Sequence, residues 1–228
     1  MINYKVFETK EDWSTFRSGL FTASEIHRLL ATPKKKDEVL SQGAKTYILE
    51  RVAESLAPKE PDFYNRAMEH GNETEPQAVL AIAEKLGKSV NDDDFIYTSV
   101  GGFVFFWDDE YNVGGTPDVI LKDSGLICEV KCPASKTHLE YLMLHTPEDV
   151  LDCVPNYYYQ MQLNMYLTRT DKCLFVSYDD RYYNSIHHYH SIEVPRDEAA
   201  IELILNKAKL ANEYKAQILK QVNKWISY

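Results

Sequence analysis

Residues 114–133, GGTPDVILKDSGLICEVKCP, constrain the fold more than any other stretch of the chain. Val119-Ile120-Leu121 and Leu126-Ile127-Cys128 are short apolar runs, and Lys122-Asp123-Ser124-Gly125 between them is turn chemistry. The spacing predicts a β-hairpin. Asp118 opens its first strand, and Glu129 and Lys131 close its second. Residues two apart on a strand share a face, so Glu129 and Lys131 point the same way. The hairpin brings Asp118 near them. Two carboxylates and a lysine then meet on one patch in an otherwise apolar setting.

A chain of 228 residues is expected to form one domain, 1–228, with a sizeable core. Hydrophobic residues make up 44% and charged residues 26%, which suits a globular chain. No apolar run approaches the ~20 residues of a membrane helix, and residues 1–10 lack the apolar centre of a leader peptide. The expectation is a cytoplasmic protein with no membrane partner. Cys128, Cys132, Cys153 and Cys173 sit in or beside apparent core elements and read as free thiols. An iron–sulfur site is the alternative, although no two form a Cys-x-x-Cys pair. The net charge of −10 argues against a nucleic-acid partner. Net charge, however, reports on solubility and steering rather than on a site.

Apolar periodicity and punctuation predict two short helical pieces in 13–30 and helices at 44–56 and 77–86, the latter stopped by Gly87. Residues 57–62, APKEPD, read as a loop within the domain. Strands with turns follow over 95–131, then helices at 137–144 and 157–167. A strand pair at 172–178 and 186–194 flanks Asp179-Asp180-Arg181. A long amphipathic helix spans 197–226. Helices, an antiparallel meander and a helical crossover to another strand make an α/β or α+β domain.

Carboxylate oxygens suit a hard cation such as Mg²⁺. Held by Asp118 and Glu129, it would activate water and offset charge on a phosphorane. Lys131 would hold the attacking water or the scissile phosphate. The alternative is a strand-end ion pair between Glu129 and Lys131 with Asp118 capping the turn. In FRSGLFTASEIHRLL, Thr22-Ala-Ser-Glu25 has the capping-box pattern of a helix start. Its free N–H groups and the Ser24 hydroxyl make an anion site, and Arg17 can fork onto a phosphate there. A plain capped helix with Arg17 in a surface ion pair is the other reading.

Pro117-Asp118 followed by Glu129-Val130-Lys131 is the signature of the PD-(D/E)xK nucleases. Upstream, EHGNETE holds Gly71-x-x-x-Glu75. Downstream, NYYYQMQLNMYL holds Tyr157-x-x-Gln160-x-Gln162. Together and in this order they resemble the lambda-exonuclease, or YqaJ-type, viral recombinase family over nearly the whole chain. The resemblance implies a restriction-endonuclease-like core, a central mixed sheet flanked by helices. It implies a Mg²⁺-dependent exonuclease, with Mn²⁺ a possible substitute, that digests linear double-stranded DNA ends 5′ to 3′. The 3′ overhangs left behind would serve a single-strand annealing partner in phage or prophage recombination. Asp118, Glu129, the Val130 carbonyl and Glu75 match the metal site, and Lys131 the catalytic lysine. Gln160 matches a water- or backbone-orienting glutamine, with Tyr157 one turn before it. Arg17, Ser24 and Thr116 match the grip on a terminal 5′-phosphate. Thr116 stands where the family has a serine, and Pro76 places Glu75 at a helix start or kink. The family's homotrimeric ring implies a basic channel, for which Lys34-Lys35-Lys36 and Arg51 are candidates. An endonuclease or CRISPR- or restriction-type nuclease on the same core, and a non-catalytic DNA-end or protein-binding module, stay open.

Overall fold

The computed structural model describes residues 1–57 and 66–224. The chain opens with β1 (Ile2–Phe7) and α1 (Lys10–Phe16), whose N-cap Thr9 accepts the Asp12 N–H. β2 (Phe21–Thr22), a 3₁₀ turn (Ala23–Glu25) and α2 (His27–Leu30) follow. The two predicted helical pieces are thus parted by a strand. The capping box does not form: Thr22 makes no side-chain cap bond, and Glu25 turns to Arg28 at 3.0 Å. Next come α3 (Gln42–Leu56), capped by Ser41, and α4 (Arg66–Lys85). α4 starts at Arg66 rather than at 77, so Glu75 and Pro76 lie inside it. The expected loop at 57–62 lies, beyond Ala57, outside the described residues.

β3 (Phe95–Tyr97), β4 (Phe103–Asp108), β5 (Val113–Gly115), β6 (Val119–Leu121) and β7 (Leu126–Lys131) follow. They are not the expected single meander: only β4–β5 and β6–β7 pair as consecutive neighbours, while β3 pairs with β6 and β4 with β1. In the β6–β7 hairpin Val119 faces Cys128 and Leu121 faces Leu126. Gly125 turns it with φ 62°, a left-handed backbone that glycine adopts without steric cost. The Asp118 N–H donates to the Cys128 carbonyl at 3.0 Å, so the ladder reaches Asp118. Then come α5 (Ser135–Leu142), α6 (Pro147–Cys153), α7 (Pro155–Thr168) and β8 (Lys172–Tyr178). β9 (Tyr189–Pro195) and α8 (Glu198–Lys224) end the described chain. α6 was not anticipated, although Thr146 and Asp149 make a full capping box at its start. β9 begins at Tyr189 because Ser185–His187 forms a 3₁₀ turn capped by Asn184.

Two mixed sheets result. One has the order β1-β4-β5-β2, the other β3-β6-β7-β8-β9. β8 runs parallel to β7, with Glu129 opposite Phe175 and Lys131 opposite Ser177. A parallel neighbour requires a crossover, and α5 to α7 supply it. Leu126 to Val130 are all buried, as a strand covered on both faces must be. On one face Cys128 and Val130 pack with Ala78, Val79 and Ile82 of α4. On the other, Ile127 packs with Tyr141, Met161 and Phe175. Alternation along β7 therefore puts Glu129 and Lys131 on the α7 side. A third cluster joins Phe21, Tyr47, Ile48 and Leu163 to Ile204, Ala208 and Ala211 of α8. Each such isoleucine contributes ~1.5–3 kcal/mol by burial.

Candidate active site

Glu129 is 1% exposed. Lys131 Nζ lies 2.5 Å from its Oε1, and Gln160 Nε2 donates to that same oxygen at 2.6 Å. Asn164 Nδ2 approaches Oε2 at 3.4 Å. Gln160 and Asn164 are one turn apart on α7, so one helix face serves the carboxylate. That helix comes close because β5 ends in glycine: a Cβ on Gly115 would lie 2.3 Å from Asn164 Oδ1. Asp118 Oδ2 accepts the Val130 N–H at 2.6 Å. The Val130 amide thus ties Asp118 to β7. Glu75 reaches the group from α4, with the Tyr97 hydroxyl donating to its Oε1 at 2.9 Å. Pro76 lies inside α4, and Glu75 still reaches the Tyr97 hydroxyl and feels the charges of Asp118 and Lys131.

Burial, the pull of Lys131 and the repulsion of Asp118 together leave Glu129 at about 7. Burial, then the charge of Asp118, raises Glu75 to about 7, against the Tyr97 hydroxyl and Lys131. Burial also raises Asp118. Burial works against the Lys131 ammonium, but Glu129 and Asp118 outweigh it and hold the group above the ordinary lysine range. One lysine therefore faces three carboxylates, and the patch carries excess negative charge. Among the described residues no three His, Cys, Asp or Glu side chains are already drawn into a ready-made ion cage. The donor chemistry fits a hard divalent cation all the same: the oxygens are carboxylate and mutually repelling, with Glu129 buried and Asp118 and Glu75 half-buried. Asn164 Oδ1 is a buried acceptor with no partner beside them.

A cavity of about 210 Å³ is lined by Arg17, Ser24 and Thr116 together with Asp118 and Gln160. The predicted phosphate grip and the acidic cluster therefore share one space. Arg17 stacks on the Trp13 indole, 4.3 Å from its centroid. Burial, then repulsion by Arg51, lowers its pKa. Ser24 is exposed and lies 3.4 Å from the Thr22 hydroxyl. It belongs to a 3₁₀ turn rather than to the start of a longer α-helix. The Thr116 hydroxyl donates to the Val104 carbonyl at 2.6 Å and must rotate away to donate elsewhere. Tyr157 is not among the lining residues. Its ring instead lies under Lys131, with Nζ 4.6 Å from the centroid.

Asn164 and Tyr97 were not singled out from sequence. Asn164 follows Gln160 at the i+4 spacing that marks one helix face, a usable signal. Tyr97 reaches Glu75 only through the sheet. Gln162, on the other side of α7, binds the Pro195 carbonyl and the Asp197 N–H. Arg51 is only 11% exposed and pairs with Glu54 at 2.6 Å, which removes it as a channel-lining cation. Lys34, Lys35 and Lys36 are exposed. Cys128 and Cys173 are buried free thiols, Cys132 is half-buried, and Cys153 is exposed rather than in the core.

The fold is similar to that of an alkaline exonuclease from Laribacter hongkongensis, LHK-Exo, at 26% identity. The match covers 96% of this chain and 99% of that one, with a TM-score of 0.71. The same enzyme in complex with dAMP matches with a TM-score of 0.72 over the same shares of each chain. A phage-related exonuclease from Haemophilus somnus 129PT shares the fold at 18% identity, 89% and 96% coverage and a TM-score of 0.68. A search of curated protein sequences found no match. Fold and acidic cluster thus define a mixed α/β protein of the alkaline-exonuclease type. Residues 12–173 match the YqaJ-like viral recombinase domain, and the chain belongs to that family.

Proposed function

We propose that this chain is an exonuclease that hydrolyses linear double-stranded DNA from 5′-phosphorylated ends. The observation that carries the reading is the shared cavity, where Arg17, Ser24 and Thr116 stand with Asp118 and Gln160. It is supported by family membership and by the likeness to the Laribacter alkaline exonuclease, whose structure with dAMP is one of the matches.

Asp118 and Glu129 would hold Mg²⁺, or Mn²⁺ in its place, with Glu75 and the Val130 carbonyl completing an oxygen donor set. The cation supplies charge compensation at the phosphate under attack. Lys131 directs an ammonium toward the reacting oxygens and steadies the attacking water. Gln160 donates to Glu129 Oε1 and helps fix it. Water adds to the phosphorus and the 3′ oxygen leaves. A 5′-mononucleotide is released and the shortened strand again begins with a 5′-phosphate. The pocket that recognises the end therefore meets the same group at every turnover. Arg17 suits it, because its half-buried charge is disfavoured by burial and by Arg51, and a dianionic phosphate relieves both.

Digestion 5′ to 3′ leaves 3′ overhangs suited to a single-strand annealing protein. A homotrimeric ring with the exposed Lys34-Lys35-Lys36 toward its channel would reconcile the net charge of −10 with DNA binding. We read residues 1–228 as one nuclease domain acting in the cytoplasm of a bacterial host. No helix among the described residues is long and apolar enough to cross a membrane.

The test uses one linear duplex with 5′-phosphate or 5′-hydroxyl ends beside a covalently closed circle, with and without Mg²⁺. Metal-dependent loss of linear DNA, faster with the phosphate, is expected. Cutting of the circle would replace the reading with an endonuclease. No cutting with either metal would leave a DNA-end-binding module.

A further inference from the structure

Lys131 ends a strand on a four-carbon stem, and such a stem has many rotamers. Its ammonium nevertheless has two fixed neighbours. One is Glu129 Oε1 at 2.5 Å. The other is the ring face of Tyr157, with its centroid 4.6 Å from Nζ. The Lys131 side chain is only 20% exposed, and the pull of a ring quadrupole on a cation grows as water is excluded.

The ring is itself held. Tyr157 stacks on Phe175, centroids 5.9 Å apart and planes 27° from parallel. Tyr141 meets Phe175 edge-on at 5.4 Å and Tyr157 edge-on at 6.4 Å. Phe175 is fully buried and sits opposite Glu129 in the β7–β8 ladder. The ring under Lys131 is thus anchored to the strand beside the one that carries Lys131. Tyr157 also precedes Gln160 by three residues on α7. A single helical turn therefore grips both halves of the ion pair, Gln160 on the carboxylate and Tyr157 on the ammonium.

We propose that Tyr157 is a positioning residue for Lys131: its ring face, backed by Phe175 and Tyr141, holds the ammonium in the one rotamer that serves hydrolysis. The inference rests on the nuclease reading above. It assigns the work to the ring face and none to the hydroxyl, and it separates Tyr157 from the phosphate-gripping residues.

The test measures single-turnover cleavage and DNA-end affinity separately for Tyr157→Phe, Tyr157→Trp, Tyr157→Leu and Tyr157→Met. The two aromatic variants should cleave within about threefold of wild type. The two aliphatic ones should lose roughly tenfold or more in rate at unchanged DNA affinity. Tyr157→Met supplies a flexible ringless side chain should Tyr157→Leu fail to fold. A second readout needs no activity. With lysine labelled at Cε, the Lys131 signal, identified by its loss in Lys131→Arg, should be shifted upfield by the ring current. The shift should persist in Tyr157→Phe and vanish in the aliphatic variants. Wild-type rates in the aliphatic variants would overturn the inference while the nuclease reading stands. So would a Tyr157→Phe variant as slow as Tyr157→Leu, because the hydroxyl would then be the active part. A wild-type protein that cleaves nothing overturns the nuclease reading and the catalytic purpose of the ring together, and a shifted lysine signal would then report packing alone.

Discussion

Gln160 donates its amide to Glu129 Oε1 at 2.6 Å, on the same oxygen that Lys131 holds. A buried carboxylate is thereby locked between a neutral and a charged donor. Losing a hydrogen bond to a buried charged group costs about 1.5–3 kcal/mol. Gln160→Leu should slow single-turnover cleavage by roughly tenfold to a hundredfold with little change in DNA-end affinity. Unaltered turnover would mean that Lys131 alone keeps Glu129 in place.

Lys131→Ala removes the cation that, among the described residues, pairs with Glu129 and faces Asp118 and Glu75. It should abolish measurable cleavage, a loss of about a thousandfold or more, yet leave binding to a DNA end intact. Gel-shift and cleavage assays on the same preparation decide this. A Lys131→Ala protein that turns over as wild type rules out the role assigned to the lysine.

Glu75 and Glu129 have folded-state pKa values of about 7, above the ordinary carboxylate value of 4.5. Between those limits the native state binds more protons than the unfolded one, so stability contributed by these groups falls as pH rises. In metal-free protein, Glu75→Gln should therefore raise the melting temperature at pH 8, and the gain should disappear at pH 4. Mg²⁺ binds the ionised form, so it should stabilise the wild type at pH 8 and have little effect at pH 4. Calorimetric melts at both pH values, with Mg²⁺ and with a chelator, read both effects. Equal Mg²⁺ stabilisation at the two pH values would place the ion elsewhere.

Arg17 shares its cavity with Asp118 and stacks on Trp13. Arg17→Ala should reduce the preference for 5′-phosphate over 5′-hydroxyl ends by about tenfold or more, the scale of a charge-assisted hydrogen bond. Hydroxyl-ended DNA should be degraded at nearly the wild-type rate. If both substrates slow equally, Arg17 supports the fold instead of reading the end.

Much of the site was legible because it depends on local geometry. A hairpin turned by Gly125 has a fixed register, and strand alternation puts Glu129 and Lys131 on one face. The i, i+3, i+4 spacing of α7 is equally local, so Gln160 was visible and Asn164 was there to be found. The N-terminal segment was misread because a local pattern met a tertiary competitor. Thr22-Ala-Ser-Glu25 has the residues of a capping box. Phe21 and Thr22, however, pair with Val113 and Gly114 of β5, and Glu25 is drawn to Arg28 and Arg51. Arg51 is a sequence candidate for a basic channel, yet Tyr47 and Glu54 hold it against the core.

Sequence alone determined the hairpin, the order of its charged residues and the periodic helices, because each depends on neighbours within a few positions. Only the tertiary structure decided what those charges face. The parallel crossover sets Phe175 beside Glu129 and lays Tyr157 under Lys131. The packing of α4 on the sheet brings in Glu75, and the pairing of β2 with β5 carries Ser24 toward the cavity that also holds Arg17 and Asp118. Those contacts join residues far apart in the chain, and their energy comes from burial and charge in three dimensions, which no short-range pattern encodes.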